Sequence, residues 1–271
     1  MAYNTKQYWN DKEKRAIQAQ EWSEKMAKTY HENIEKCVKD TKIYDEQLEF
    51  HHQRMERMPV VELVATDSVS TVFEADQEYK VAVLNFASYK NPGGRFLDGS
   101  KAQEECLCHE SYLYNVLKEF EDSYYKENCK VLNKALYTNK ALYSPNVEFF
   151  RGDKVAVADV ITCAAPNYTP GKRYHSVTPE ENKQALESRI TYVLNIANDN
   201  DADILILGAF GCGVFSQEPE IVAKMFLEKL SNYSFTKVVF AVPDKDSDNY
   251  KGFLKACTEF GLRANTYVSI C

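Results

Sequence analysis

The chain has 271 residues, 44% of them apolar and 27% charged, and a formal net charge of −7. That length suits one large or two small domains and buries a core without disulfide staples, and the composition excludes a disordered chain, a collagen-like fibre and a coiled coil. No run approaches the ~18 consecutive apolar residues of a membrane span, the first residues have no apolar core and do not read as a secretory signal, and the acidic balance argues against direct nucleic-acid binding.

Residues 1–57 are highly charged and carry neither Gly nor Pro. Within them Trp22, Met26, Tyr30, Ile34 and Cys37 recur at spacings of three and four, which predicts an amphipathic helix. No flexible linker follows, so this segment is expected to be a helical extension packed on a core of residues 58–271, the whole forming a single unit.

From residue 59 the pattern changes. VVELVAT (60–66), VAVLNFA (81–87), VAVADVITCAAP (155–166), ADILILGAF (202–210) and TKVVFAV (236–242) are short runs rich in Val and Ile, bounded by polar or turn residues. They read as buried strands. Helix-like segments lie near 104–121, 179–198, 219–231 and 248–260; in the third, Pro219 suits the first turn and Val222, Phe226 and Leu230 share a face. Buried strands alternating with helices predict an α/β fold, a three-layer sandwich.

Cysteines stand at 37, 106, 108, 129, 163, 212, 257 and 271. Several sit inside apolar runs, as expected of reduced thiols in a cytoplasmic protein. Cys106, Cys108 and His109 form a C-x-C-H run, which is not a usual zinc spacing, so no metal and no cofactor are expected.

Two glycine-rich loops each join the carboxyl end of a predicted strand to a predicted helix: NPGGRFLDGS (91–100) and GAFGCGVFSQEPE (208–220). Ligands bind there in open α/β sheets, and glycine lets backbone N–H groups approach an anion. Neither loop is a Walker loop or a G-x-G-x-x-G fingerprint. Together they suggest a diphosphate cradle, although ordinary tight turns would explain either alone. Gln103, Glu104 and Glu105 follow the first loop directly. Acidic residues in a first turn are accounted for by the helix dipole alone. Neighbouring helix residues diverge by ~100°, so this pair cannot flank a sugar as two opposed carboxylates; one can reach an anomeric carbon while the other holds a hydroxyl.

The run NPGGRFLDGSKAQEE (91–105) resembles the signature of the poly(ADP-ribose) glycohydrolases, a glycine triplet followed after a short spacer by Gln-Glu-Glu. NFASYKNPGG and AQEECLCHESYLY look like the microbial type of that family, and GAFGCGVF is similar to the second phosphate loop of macrodomains. The resemblance implies a macrodomain-like sandwich with a mixed central sheet. It implies hydrolysis of the ribose–ribose bond with release of ADP-ribose. Glu105 matches the catalytic glutamate, a general acid and base; Glu104 matches the carboxylate that holds ribose hydroxyls; Gln103 completes the signature and supports the loop. Asn91 would contact the distal ribose. The amides of Gly93, Gly94, Gly211, Cys212, Gly213 and Val214 would hold the diphosphate. Phe215 would cover the distal ribose, its alternative being a buried core aromatic. Pro243, with Tyr250 nearby, would serve the adenine.

Arg95 stands where the third signature glycine is usual. A positive φ there would strain it; otherwise its cation could meet the diphosphate, or activity could be lost with binding retained. With a charge of −7 and no Lys/Arg-rich stripe, recognition of a polyanion is expected to be local, trimming chains from the end. The implied partners are poly(ADP-ribosyl)ated proteins and ADP-ribose, with no membrane, and the chain is expected to act as a monomer. Three alternatives stay open: a non-catalytic ADP-ribose reader, a mono-ADP-ribosyl hydrolase, and a nucleotide-binding enzyme of unrelated chemistry. Cys212 has no His placed by sequence to activate it and reads as a small residue between two glycines.

Overall fold

The computed structural model describes residues 11–45 and 58–262. In chain order its main elements are α1 (Lys12–Thr29), α2 (His31–Asp40), β1 (Lys42–Tyr44), β2 (Val60–Val64), α3 (Ser68–Glu74), β3 (Val81–Phe86), α4 (Gln103–His109), α5 (Leu113–Leu117) and α6 (Glu127–Lys130). There follow β4 (Ala141–Arg151), β5 (Lys154–Cys163), α7 (Tyr168–His175), α8 (Pro179–Asp199), β6 (Ile204–Leu207), α9 (Pro219–Lys229), β7 (Lys237–Ala241) and α10 (Asp248–Glu259).

The seven strands form one sheet in the order β1-β4-β5-β3-β6-β7-β2. The pairs from β5 through β2 are parallel, and β1 and β4 run antiparallel to their neighbours, so the sheet is mixed as expected. Side-chain alternation divides each strand between two cores. On β3, Ala82 and Leu84 face the layer of α8, α9 and α10, whereas Val81 and Val83 face α1 to α5. These are the two outer layers of a three-layer sandwich. No described helix is long and apolar enough to cross a membrane.

Besides the short helices α3, α6 and α7, which were not predicted, four features differ from the sequence expectation. The helix predicted over 104–121 is broken: α4 ends at His109, Ser111 turns the chain by bonding Leu107 O through its hydroxyl, and α5 is followed by a 3-10 turn and a π-type turn (Glu121–Lys126). The amphipathic helix through Trp22 and Cys37 is two helices, parted at Tyr30 (φ −120°, ψ 29°). Its face is nonetheless the one that packs, with Trp22, Met26, Ile34 and Cys37 buried. The extension is also not purely helical, because β1 pairs with β4 at the sheet edge. Finally, β4 is a strand that sequence reading misses. Pro145 interrupts its apolar run, and a register shift between Ser144 and Val147, with Asn146 at φ 54°, absorbs it. The boundary near residue 57 and the thiol of Cys271 lie outside the described residues.

Arg189 of α8 ties the end of β5 to the turn before β4. It is 1% exposed, and its guanidinium donates to Asn139 Oδ1 (2.8 Å), Ala164 O and Leu136 O. Arg189→Met keeps the bulk and removes the donors. Breaking such a buried network should lower the unfolding free energy by about 3 kcal/mol. Denaturant titration with an unchanged slope checks it.

Candidate active site

The carboxyl end of β3 and the first turn of α4 are joined by Gln103. Its Oε1 accepts from Phe86 N (2.8 Å), and its Nε2 donates to Leu84 O (2.8 Å) and Ser68 Oγ (3.1 Å). One amide thus uses donor and acceptor to fix the helix start against the strand. This position forces the next two side chains inward: Glu104 and Glu105 are 3% and 6% exposed.

Each carboxylate is met by backbone. Glu104 Oε2 accepts from Ser88 N (2.7 Å), and its Oε1 takes a longer bond from Asn85 Nδ2 (3.3 Å). Glu105 Oε1 accepts from Arg95 N (2.9 Å). Glu105 Oε2, Asn85 Oδ1 and Tyr125 OH are buried and take no hydrogen bond within the protein. Burial above all, then the charge of Glu105, pushes the Glu104 carboxyl up to about 8 against the Ser88 and Asn85 bonds.

The first loop fits over this pair because of its glycines. Gly93 and Gly94 have φ of 64° and 62°. A Cβ on Gly94 would lie 2.5 Å from Glu105 Oε1 and 2.9 Å from Glu104 Oε2. Arg95 has φ −116°, so the third signature position is unstrained and needs no glycine. Its guanidinium is exposed and bonds Asp98 Oδ2 (2.9 Å), a surface pair of small worth. Its backbone N–H is the group that serves the site.

A cavity of about 420 Å³ opens beside the pair. Gln103, Gly211, Gly213, Val214 and Phe215 line it, along with Lys101, Ala102 and Cys106. Of the residues singled out from sequence, Asn91, Gly93, Gly94, Arg95, Glu104, Glu105 and Cys212 do not line it. The site therefore has two parts, a carboxylate chamber under the first loop and a cavity under the second, and Gln103 stands between them. Phe215 is half-buried, edge-on to Tyr137 at 6.2 Å, and so is neither a core residue nor free of support. Val214 is 86% exposed. Burial pushes the Cys212 thiol up to about 12, which keeps it protonated at neutral pH. Cys106 borders the cavity while Cys108 is buried, and among the described residues no three His, Cys, Asp or Glu side chains converge on a metal position.

Sequence reading missed three contributors. Asp67 and Ser68 border the cavity, and Asp67 caps α3 by accepting from Ser70 N (2.8 Å). The Asp-Ser pair after VVELVAT was a helix-start signal that could have located them. Gln217 is buried and anchors the second loop, donating to Pro166 O (2.7 Å). Pro243 does border the cavity, but Tyr250 is packed in the core, and Ser247 and Asn249 take the place expected for it.

The family model for the microbial-type PARG catalytic domain matches residues 10–152. Among solved structures, the poly(ADP-ribose) glycohydrolase of Thermomonospora curvata bound to the inhibitor ADP-HPD is 27% identical, with a TM-score of 0.76 over 89% of this chain and 98% of that one. The poly(ADP-ribose) glycohydrolase of Deinococcus radiodurans in complex with ADP-ribose is 29% identical, with a TM-score of 0.75 over 84% of this chain and 98% of that one. Comparison with curated proteins returned no significant match.

The raised Glu104 carboxyl has a consequence for stability. The folded protein holds this proton from the ordinary value of 4.5 up to about 8, whereas the unfolded chain releases it. Native protein binds more protons across that window, so the Glu104 contribution to stability falls as pH rises through it. Glu104→Gln removes the dependence. The melting temperature of the variant relative to wild type should climb from pH 5 to pH 8 and level off above; parallel curves would refute the assignment.

Proposed function

The chain belongs to the microbial-type PARG catalytic domains, the poly(ADP-ribose) glycohydrolases, and from that premise we propose how its carboxylate pair cleaves the ribose–ribose bond. The observation that carries the reading is Glu105 Oε2, a buried carboxylate oxygen that takes no hydrogen bond within the protein, while Oε1 is held by Arg95 N. Oε1 fixes the group and Oε2 is left for substrate.

Glu104 retains a proton up to about pH 8. Glu104 shares it with the ribose hydroxyls it holds. As the bond to the anomeric carbon breaks, the Glu105 carboxyl gives its proton to the departing ribose oxygen, and the carboxylate so formed takes one from the attacking water, whose hydroxyl adds to the anomeric carbon. The positive charge that develops on the distal ribose lies between Glu105 and the diphosphate. The ring of Phe215 covers it from the second loop, and amides of Gly211, Gly213 and Val214 receive the diphosphate. Gly93 and Gly94 serve by their left-handed backbone, which brings Arg95 N onto Glu105. Asn91, exposed on the first loop, meets the distal ribose. Cys212 adds its amide beside the glycines. The reaction needs no metal, because the pair supplies the acid and the base.

The cavity volume suits one nucleotide-sized unit, and the chain's charge of −7 offers no general attraction for a long polyanion. Cleavage therefore proceeds mainly from chain ends. Abundant internal fragments early in a digest of long chains would contradict this.

Incubation with poly(ADP-ribosyl)ated protein should release ADP-ribose. Glu105→Gln should lower that release by about 10²- to 10⁴-fold while calorimetry still detects ADP-ribose binding. Binding without release by the wild type would make the chain a reader or a hydrolase of another ADP-ribosyl linkage. With the Glu104 proton required to hold the ribose hydroxyls, kcat/KM should fall as pH rises through about 8, where Glu104 loses it, and a chelator should leave the rate unchanged.

A further inference from the structure

Helix α1 buries Arg15, Ala19, Trp22 and Met26 on one face. An arginine on an apolar face is costly unless its donors are used. Arg15 is 5% exposed, and its Nε donates to Gly99 O at 2.8 Å. Gly99 lies at the end of the first glycine loop with φ 73°, and a Cβ there would run into Lys12 O and Ala16 N. The backbone of α1 therefore rests directly on this loop, and the contact requires glycine on one side and the guanidinium on the other.

From Gly99 the loop closes back on Arg95. Asp98 N and Ser100 N both donate to Arg95 O at 3.1 Å. On its opposite side Arg95 N donates to Glu105 Oε1 at 2.9 Å. Phe96, between them, is edge-on to His109 at 4.7 Å, at the last residue of α4. Burial, with the Arg15 charge adding to it, lowers His109 to about 4 against a backbone bond at Ser100, so the ring facing this loop is neutral. The turn is held from one side by α4 and from the other by α1.

We propose that Arg15 is a positioning residue for the hydrolysis: by holding Gly99 O it sets the turn of residues 95–100 so that the Arg95 N–H lies on Glu105. This rests on the reading of Glu105 given above. The N-terminal helix is then part of the catalytic apparatus and not only a support for the core. The purely structural alternative makes Arg15 one of several anchors of α1, equivalent to Trp22, whose Nε1 donates to Ser111 O (2.8 Å), away from the glycine loop.

The test compares Arg15→Met, Arg15→Lys, Trp22→Phe and Glu105→Gln in the full chain, with kcat and KM for ADP-ribose release, calorimetric binding of ADP-ribose, thermal unfolding, and deuterium exchange of the peptide covering residues 93–100. Arg15→Met should lower kcat roughly tenfold to a hundredfold, the scale of a small misplacement of a reacting group, with the Kd for ADP-ribose changed less than about twofold. Exchange in 93–100 should rise, and Arg15→Lys, which keeps a cationic donor, should restore part of both. Trp22→Phe should lower the melting temperature and leave kcat unchanged. Loss of kcat in proportion to lost stability in both Arg15→Met and Trp22→Phe would overturn the proposal, as would wild-type kcat and exchange in Arg15→Met. If Glu105→Gln keeps full release, the reading of Glu105 fails, and the exchange of residues 93–100 still decides whether Arg15 holds the turn.

Discussion

Two adjacent carboxyl groups are taken out of water at the start of one short helix, and the surrounding structure answers that cost. A buried carboxylate needs donors, and close like charges drive at least one of the pair to keep a proton. The donors here are mostly backbone. Ser88 N meets Glu104 and Arg95 N meets Glu105. Backbone donors are placed by the path of the chain, so the loops around α4 follow paths that only particular residues allow. Gly93 and Gly94 take left-handed conformations, and Gly94 has no room for a side chain beside the two carboxyls. Gln103 fixes the helix start to β3. Arg15 and Gly99 join the far end of the loop to α1.

The sheet brings the two halves of the site together. β3 and β6 are parallel neighbours, so the loops that leave their carboxyl ends lie side by side. β7 and β2 continue the same edge, which is why the residues after them, Pro243 and Asp67, border the cavity that the second loop helps to form. The carboxylate chamber and the cavity meet at Gln103. A single polypeptide turn, residues 103–105, connects the buried carboxylates to the cavity, which Gln103 lines.

Much of this was legible in the primary structure for local reasons. The Val- and Ile-rich runs announced five of the seven strands, because strands with buried faces concentrate apolar β-branched residues. The glycine loops could be placed at strand ends, and the Gln-Glu-Glu run was singled out by its resemblance to the glycohydrolase signature. What failed to show did so for equally physical reasons. β4 contains Pro145, which masks a strand unless a bulge is known to absorb it. β1 has three residues, too few for any periodicity. The break of α4 at His109 depends on the Ser111 hydroxyl and on a bridge to Phe149, a residue almost forty positions further on.

The sequence by itself determined the fold class, the pair of glycine loops and the carboxylates at 104 and 105, because these follow from composition and spacing within a few residues. Only the tertiary structure decided that Arg95 contributes its N–H and turns its guanidinium outward to Asp98. Only it showed that burial pushes Glu104 up in pKa, and that α1 rests on the first loop through Arg15. Backbone dihedrals, burial and contacts between residues 84 positions apart arise from packing in three dimensions, and no local pattern encodes them.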